Sequence, residues 1–595
     1  MRNKSYGNIM RRLVASTLVA TMMGGMLVGC GSNTSTTTST DGSASSDSAK
    51  EEVSDEDLIT LTCYSQLANY SGEMKGWFAE ILKDKFGVKI NIVPDSDGVY
   101  ETRMEDGDLG DIVVWGSTDR KYQQAIEAGM LFDWEEDNLV QDYGPYIWEN
   151  MQDALEANKI VSAAKDEAGN VVGEADTIYG FGHGVASSSD SHDAFFYTWD
   201  IRWDLYEQLG HPEVNNLDDL INVLEDMKEI CPTGDDGNPT YAMSLWPDWD
   251  GNYVMYVKAM ATAYYGYDEF GFGHYNVETG EFYDALSADS PYLTMLAWFN
   301  DLYRRGLLDP DSMTQTYDTM IEKVQNGNVF FSIFNYAGSL AYNKAEHYDQ
   351  NKIMMSLTPT EASPIVAGLS TLGGNRVWSI GAKTQYPEVC MEIINWLCTP
   401  EGRLTTDYGP KGLCWDYDEN GKTYFTEFGL TCKEDRTTLM PEEWGGATFN
   451  DGAFQVNNIT WTAADINPES GERYNCEFWA STQVPEGRCD AERDWRETTG
   501  AQTIDEYMNS GDYSVDVPTT FAMATLDADM QSQWDQIAIC LKDYSWRAIY
   551  AETVEEYDAI VNEMRGKAMS YGYNNMVKYC KEQAAIKNGL QEPLR

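Results

Sequence analysis

From residue 58 onward, the apolar positions follow a strand pattern and then a helical one. Leu58 to Tyr64 is rich in β-branched residues and predicts a strand; Val88 to Val93, stopped by Pro94, predicts another. Between them, Ser71 is a predicted helix cap and Gly87 a predicted helix end. The apolar face of that helix comprises Met74, Phe78, Ile81, Leu82 and Phe86.

A third strand is predicted at residues 111–115, followed by a helix from about Thr118 to Ala128 that Gly129 closes. This order is typical of parallel βαβ units, so we expect an α/β fold. Ligands of such sheets lie beyond the carboxyl ends of the strands. Those ends carry Tyr64-Ser65-Gln66 and Trp115-Gly116-Ser117.

The later part of the chain mixes both patterns, with no internal repeat and no proline-rich linker. Strands are predicted at residues 329–334 and 377–380. Helix starts are predicted at Asn216, Ser290-Pro291, Pro387 and the capping box Thr553-Val554-Glu555-Glu556.

The composition narrows the possible partners. The chain of 595 residues carries 97 acidic and 41 basic residues, a formal net charge of −56, and the acids are spread along its length. Such a chain repels phosphate backbones, which argues against nucleic acid, and its acidic surface favours solubility. After residue 30 no apolar run is long enough to span a bilayer.

The first 57 residues read as targeting and tether segments. A basic start precedes an apolar run from Leu13 to Val28, which predicts a secretory signal. The next residues complete Leu27-Val28-Gly29-Cys30, which resembles the lipobox of bacterial lipoproteins. That resemblance implies a signal peptide at 1–29, a lipid-modified Cys30 and attachment to the cell membrane. The alternative is an ordinary secreted protein with a chance cysteine. Residues 31–57 contain almost no apolar side chains and predict a flexible, disordered linker.

Cysteine and histidine offer little material for a metal or nucleophile site. The 11 cysteines form no C-x-x-C pair, and the five histidines show no i, i+4 spacing. If the protein is exported, Cys414 with Cys432 and Cys476 with Cys489 are the nearest disulfide candidates. Cys390 and Cys398 are expected to pack inside one helix. No cofactor is expected.

One acidic loop fits the spacing of a calcium site. Asp416, Asp418, Asn420 and Gly421, followed by Glu427, match the pattern D-x-D-x-[DN]-G-x5-E. The flanking residues alternate like strands, and Asn420-Gly421 is a strong hairpin signal. We therefore predict a hairpin, with calcium as the weaker alternative.

Several segments, in order, resemble the family 1 extracellular solute-binding proteins. The matches run from about residue 58 to 585, and those from about 430 to 530 are poor. The resembling segments are Arg103 to Ile112, Ala128 to Leu131, Tyr197 to Leu205, Leu302 to Pro310, Asn326 to Val329, Tyr386 to Leu397 and Tyr408 to Gly412. Gly110 stands where that family usually has proline.

The resemblance implies two α/β lobes joined by a hinge, with a ligand in the cleft between them. It also implies a monomer that delivers the ligand, most often a sugar or oligosaccharide, to the permease subunits of an ABC importer. The lobes would be discontinuous. The expected division is lobe I at 58–190, lobe II at 191–365, a return to lobe I at 366–410, and lobe II completion, insertion and C-terminal helices at 411–595.

Aromatic residues near predicted strand ends and turns are the candidate ligand contacts, because sugar C–H faces pack on rings and sugar hydroxyls need polar partners. The loop Trp246 to Asn252 offers two indoles, two carboxylates and an amide; its alternative reading is a structural surface loop. The candidates are Tyr64, Trp115, Trp199, Arg202, Trp246, Asp248, Trp249, Tyr336, Arg376, Trp378 and Trp415.

Two other function classes remain open from the sequence. A lipid-anchored glycoside hydrolase would need two carboxylates across a cleft, and 97 acids nominate no pair. No G-x-S-x-G, H-E-x-x-H or Walker motif is present, so we expect no enzyme. A binding protein that reports to a sensor is the other alternative.

Overall fold

The structure, a computed structural model, describes residues 58–595 except 97, 119, 165–170, 374, 457–461 and 525. The predicted signal peptide, Cys30 and the linker therefore lie outside the described residues. Most buried apolar side chains of the described part fall into two large hydrophobic cores, which define lobe I and lobe II. A search of the same residues finds no helix with the length and apolar character that a bilayer crossing requires.

Short strands make up the sheets of both lobes. They are β1 (Ile59–Ser65), β2 (Gly72–Glu73), β3 (Val88–Pro94), β4 (Ile112–Val114), β5 (Phe181–His183), β6 (Tyr197–Arg202), β7 (Tyr267–Phe270), β8 (Gly273–Asn276), β9 (Phe282–Asp284), β10 (Phe331–Phe334), β11 (Met354–Ser356), β12 (Ile365–Ala367), β13 (Asn375–Ile380), β14 (Trp415–Tyr417), β15 (Thr423–Phe425) and β16 (Ser514–Asp516).

Helices cover the sheets and build most of lobe II. They are α1 (Trp77–Phe86), α2 (Val99–Asp106), α3 (Arg120–Glu127), α4 (Leu139–Tyr143), α5 (Pro145–Asn150), α6 (Gln152–Ser162), α7 (Trp203–Gln208), α8 (Leu217–Ile230), α9 (Met255–Tyr265), α10 (Pro291–Arg304), α11 (Tyr317–Gln325), α12 (Ser339–Tyr342), α13 (Ala345–Asp349), α14 (Pro387–Cys398), α15 (Pro400–Tyr408), α16 (Glu427–Glu434), α17 (Asp490–Thr499), α18 (Ile504–Ser510), α19 (Ala528–Ile549), α20 (Val554–Ser570) and α21 (Tyr573–Gln591). Short 3-10 turns lie at Glu136–Asn138, Glu442–Trp444, Cys476–Phe478 and Glu592–Leu594.

Lobe I is built on a six-stranded sheet with the order β2-β3-β1-β4-β13-β5. β1 pairs in parallel with both β3 and β4, which confirms the βαβ start predicted from the sequence. β13 runs antiparallel to β4, with Trp378 opposite Val114. The second half of the chain thus contributes a strand to the sheet that the first half begins.

The first helix starts later than the sequence predicts. Ser71 precedes β2, which pairs with β3, and the helix cap is Gly76. Gly76 has a φ of 78°, and a Cβ there would lie 2.3 Å from the Cα of Gly452. Two backbone segments meet at this point, so the close approach and the left-handed φ require glycine and displace the predicted serine cap.

Lobe II contains an antiparallel sheet with the order β10-β6-β11, a meander of β7, β8 and β9, and long helices. Its predicted caps are confirmed. The side chain of Asn216 accepts from the Asp218 and Asp219 amides, and Ser290 accepts from Leu293. Thr553 accepts from Glu556, as its capping box predicts.

Three connections join the lobes, because buried residues alternate between the two cores along the sequence. The chain crosses after Val185, after Ala362 and after Trp479. The first two crossings lie side by side: the Asp193 amide donates to the Ala367 carbonyl over 2.8 Å, and the Leu369 amide to the Ser191 carbonyl over 2.8 Å. β12, on the second crossing, also pairs in parallel with β16.

Residues 411–595, predicted to hold lobe II completion, an insertion and C-terminal helices, contribute buried side chains to both cores. Buried side chains from Cys414 to Trp479 belong to the core of lobe I, and lobe II resumes at Cys489. Aromatic contacts attach this segment to lobe I. Phe425 and Trp479 pack on Tyr408 of α15, with ring centroids 5.5 and 4.9 Å away. These long-range contacts decide the assignment, and local sequence patterns do not carry them.

Cys414, Cys432, Cys476 and Cys489 are free thiols, so neither candidate disulfide is formed. Cys476 and Cys489 belong to the cores of different lobes. Cys414 and Cys432 share the core of lobe I, where burial raises the pKa of both thiols. Cys390 and Cys398 lie buried within α14, as predicted.

Candidate functional site

In both lobes, the ends of sheet strands lie near the segments where the chain crosses between lobes. In lobe I, β4 ends beside the start of β13, which follows the second crossing. In lobe II, β6 begins just after the first crossing, and Phe334 at the end of β10 lies opposite Tyr197 at its start. The connectivity therefore brings the carboxyl ends of β1, β4 and β10 to the junction of the lobes, where sheets of this kind hold ligands.

The loop from Trp246 to Asn252 is a turn fixed by two carboxylates. The Asp250 amide donates to the Pro247 carbonyl over 3.0 Å. Asp248 accepts from the Tyr317 amide over 2.9 Å, and Asp250 accepts from the Met255 amide over 2.7 Å and the Trp546 indole over 2.8 Å. Burial raises the pKa of the Asp250 carboxyl. The turn holds Trp249 outward with 49% of the residue exposed.

Trp249, Tyr336 and Phe196 are three successive rings in contact, which we call the aromatic row. The ring centroids are 5.9 Å apart from Trp249 to Tyr336 and 5.3 Å apart from Tyr336 to Phe196. Phe196 is 47% exposed, and Tyr336 is half-buried. Tyr317 stacks on Trp249, with centroids 4.6 Å apart and planes 29° apart. Large exposed aromatic surfaces of this kind mark ligand or partner sites.

Buried aromatic residues support the row from below. Trp246 is 1% exposed and meets Trp249 edge-on, and Phe334 stacks on Tyr336 with centroids 5.1 Å apart. The Trp246 indole nitrogen has no hydrogen-bond partner within the described chain. Trp246, predicted as a ligand contact, is therefore a support for Trp249.

Hydrogen bonds beside the crossing fix the other two rings of the row. The amide of Asn335 donates to the Phe196 carbonyl over 3.2 Å, and its side chain donates to the Phe195 carbonyl over 3.1 Å. Asp200 accepts from the Ser339 amide over 2.6 Å at the start of α12, just after Tyr336. Asp200 is fully buried, and this burial raises the pKa of its carboxyl to about 6 despite hydrogen bonds that oppose the shift.

In lobe I, Tyr64 and Trp115 lie under the sheet edge. Both are fully buried and pack edge-on with centroids 6.4 Å apart. The Trp115 indole donates to the Ser379 hydroxyl over 3.1 Å. These two predicted contacts therefore stiffen the edge, and the residues that follow them carry the polar groups nearest the junction.

Side chain-to-backbone hydrogen bonds order those following residues. Ser65 Oγ accepts from the amides of Leu67 and Ala68, both over 3.1 Å. Gln66 Oε1 accepts from the Gly116 amide over 2.7 Å. The ends of β1 and β4 thus form one rigid polar edge.

Two predicted residues on β6 lie in the core of lobe II. Trp199 is fully buried, with a φ of 53° where the register of β6 and β10 shifts. Arg202 is 3% exposed and pairs with Asp204 through two hydrogen bonds of 2.8 and 2.7 Å. Its guanidinium also lies 4.7 Å from the Tyr342 ring centroid. This pair satisfies the buried charge.

The predicted contacts that follow the second crossing include two buried residues and one half-buried residue. Trp378 is 1% exposed and stacks on Phe454, and Trp415 is fully buried with its indole donating to the Gly409 carbonyl over 2.8 Å. Arg376 is half-buried, with a φ of 45° at an irregularity between β13 and β5. A strained, non-glycine residue just after a crossing is a position where proteins adjust a side chain.

Phe196 and Tyr317 contact the candidate residues Tyr336 and Trp249, although neither is among the predicted contacts. Phe196 lies within Phe195-Phe196-Tyr197, where successive side chains of an extended segment alternate in direction, so one of the three could face solvent. Tyr317 follows Thr316, whose hydroxyl caps α11. Local pattern could have suggested an exposed ring at each place, but not that both meet Trp249 and Tyr336.

The alternative calcium loop forms the predicted hairpin of β14 and β15. Asp418 Oδ1 accepts from the amides of Asn420 and Lys422, both over 2.8 Å, and Asp416 Oδ1 accepts from the Tyr417 amide over 2.8 Å. Glu427 opens α16. Within the described ranges, no group of three or more histidine, cysteine or acidic side chains is arranged to hold a metal ion.

Solved structures of solute-binding proteins share this fold. An extracellular solute-binding protein from Bifidobacterium longum subsp. infantis aligns with a TM-score of 0.55 and 15% identity over 90% of this chain and 100% of its own. The N-glycan transport solute-binding protein NgtS from Streptococcus pneumoniae gives 0.51 and 16% identity over 89% and 98%. The S. pneumoniae ABC-transporter substrate-binding protein FusA, in complex with kestose, gives 0.55 and 16% identity over 89% and 100%.

No protein-family model and no curated protein sequence matches the chain. The structural likeness therefore establishes the fold. The chain has the two-lobed α/β fold of extracellular solute-binding proteins, as its sequence predicts.

Proposed function

We propose that this protein captures an oligosaccharide between its two lobes, outside the cell membrane, and delivers it to the permease subunits of an ABC importer. The aromatic row carries the proposal. Its two end rings are about half exposed, and Phe196 lies at the end of the first crossing. Rings of this kind pack against the C–H faces of sugars while nearby polar groups bind the hydroxyls.

The fold neighbours support the same ligand class. NgtS is named for N-glycan transport, and FusA was solved with kestose, a saccharide. Both are solute-binding proteins of transport systems. A likeness in fold alone does not choose the ligand, so the row in this chain is the stronger argument.

The proposed division of labour between the lobes follows from their surfaces. Lobe II supplies rings that contribute most of the affinity, and lobe I supplies the polar edge at Gln66 and Gly116 that selects hydroxyl geometry. Arg376 lies at the second crossing, where closure of the lobes would bring it toward the ligand. Binding of ligand and closure about the crossings then act together.

Attachment to the membrane is part of the proposal. Cys30 would carry the lipid, and the acidic segment after it would tether a monomer near the importer. The described residues would remain outside the bilayer. The ligand would be bound and released unchanged, without an enzymatic step.

Calorimetry with a panel of oligosaccharides and peptides tests the ligand class. A ligand at 100 times its Kd should add about 2.7 kcal/mol to stability, visible as a rise in Tm. Trp148→Ala, on α5 of lobe I, is the control and should bind as the parent does. Peptide binding without saccharide binding would overturn the ligand class, and chromatography showing cleaved saccharide would reveal an enzyme.

A further inference from the structure

We infer that the aromatic row selects neutral saccharides with a run of at least three sugar residues, and that Asp248 sets the preference against acidic sugars. This inference rests on the proposed function and specifies the ligand. It draws on the spacing of the three rings, on the rigidity of the turn below them and on the charges beside them.

The spacing of the row sets the length of the run. Centroid steps of 5.9 and 5.3 Å separate Trp249, Tyr336 and Phe196, and both end rings are about half exposed. Each ring can take one sugar face at van der Waals distance. Three successive rings therefore take three successive sugars.

Hydrogen bonds hold the rings of the row in place. Asp248 and Asp250 fix the two sides of the turn that bears Trp249, and Asn335 ties Tyr336 to the backbone of Phe196. Little side-chain ordering remains to be done on binding, so each added sugar contact should appear as affinity.

The charges at the row favour neutral sugars. Asp248 is exposed beside Trp249, and its one hydrogen bond in the described chain is to the Tyr317 amide. No lysine or arginine of the described residues forms an ion pair with Asp248 or stacks on a ring of the row. A sugar hydroxyl can donate to this carboxylate, whereas a uronic or sialic acid carboxylate would be repelled and unpaired.

Calorimetry with two series of oligosaccharides of increasing length, here called ladders, tests the length and the charge preference. The first contains linear neutral gluco-, manno- and fructo-oligosaccharides of two to six residues, and the second contains uronic acid oligosaccharides of the same lengths. For the neutral series that binds, affinity should rise up to three residues and then level off. Trp249→Ala and Phe196→Ala should each weaken binding of the trisaccharide by about tenfold.

Asp248→Asn tests the charge. It should reduce the difference in affinity between neutral and acidic oligosaccharides. Asp289→Asn, which changes an exposed acid in a turn before α10, should leave that difference unchanged. A disaccharide that binds as tightly as the trisaccharide overturns the length. Uronic acid oligosaccharides that bind as tightly as neutral ones overturn the charge preference, with saccharide binding intact. If neither ladder nor any other saccharide binds, the proposed function falls first.

Discussion

The buried indole of Trp246 meets the exposed indole of Trp249 edge-on, with ring centroids 5.2 Å apart and planes at 86°. The two residues share a loop and a chemistry, yet one is 1% exposed and the other 49%. One supports the surface that the other provides. Substitution of Trp249 should therefore weaken binding with little loss of stability, whereas substitution of Trp246 should lower stability as well.

Trp249→Ala should weaken saccharide binding at least tenfold, a loss of about 1.4 kcal/mol, because an exposed stacking face is removed. The ligand-free Tm should barely move, because surface substitutions change stability by about 0.5 kcal/mol or less. Calorimetry and thermal unfolding measure the two effects. An unchanged affinity would show that ligand does not touch this ring.

Trp246→Ala should lower the free energy of unfolding by about 3–5 kcal/mol, the usual cost of removing a large buried aromatic side chain. Urea denaturation of the ligand-free protein measures this loss. Binding should also weaken, because the exposed rings lose their support. A stability equal to that of the parent would mean that this indole is not buried in solution.

Asp200 should make stability depend on pH. Its pKa is raised from 3.8 to about 6 in the folded state, so the folded protein binds this proton more tightly than the unfolded chain does. Stability should therefore fall as pH rises through the range from about 4 to about 6, by up to about 3 kcal/mol from this group.

The matched variant is Asp200→Asn, in which the side-chain oxygen can still accept from the Ser339 amide. Urea denaturation at pH 4 and pH 7 measures the free energy of unfolding at each pH. The loss of stability that Asp200 causes between pH 4 and pH 7 should be absent in this variant. An identical pH dependence in both proteins would contradict the assignment.

Cys30→Ala should move the protein from the membrane fraction to the soluble fraction. Acyl chains on Cys30 would provide stable attachment, and the acidic chain has no other evident means of binding a membrane. Fractionation and immunoblotting of cells measure the shift, with Cys231→Ala as a cysteine control. A variant that still sediments with membranes would refute the lipobox interpretation.

Chelation of calcium should leave both Tm and saccharide affinity unchanged. The Asp418 carboxylate already accepts two backbone amides within the hairpin, and hairpin geometry fixes it there. Thermal unfolding with and without a chelator tests this expectation. A large drop in Tm that Asp416→Ala abolishes would show that the loop binds calcium.

The sequence predicts local elements well because their causes are local. The βαβ start, the caps at Asn216, Ser290 and Thr553, and the hairpin at Asn420-Gly421 each depend on a few neighbouring residues. Ser71 fails as a cap because a loop hundreds of residues later approaches Gly76. That contact leaves no trace in the residues around it.

The same distinction separates the candidate site residues. Trp115, Trp199, Trp378 and Trp415 are chemically suited to bind sugar, but they are buried by partners distant in sequence. A tryptophan suits a core and a binding surface equally well, so its type does not reveal its exposure. Trp249 is exposed and Tyr336 is half-buried because a turn and a strand end, both local features, position them, and their role as ligand contacts stays a prediction.

The three crossings of the chain between the lobes also constrain the order in which the protein can fold. The sheet of lobe I needs β13, and its core needs residues up to Trp479, so β1 to β4 must wait for more than half of the chain to be synthesised. Pairings that distant in sequence form slowly and leave strand edges uncovered in the meantime. A chain truncated before β13 should therefore accumulate as an aggregation-prone fragment, and neither lobe can be cut out as a continuous piece.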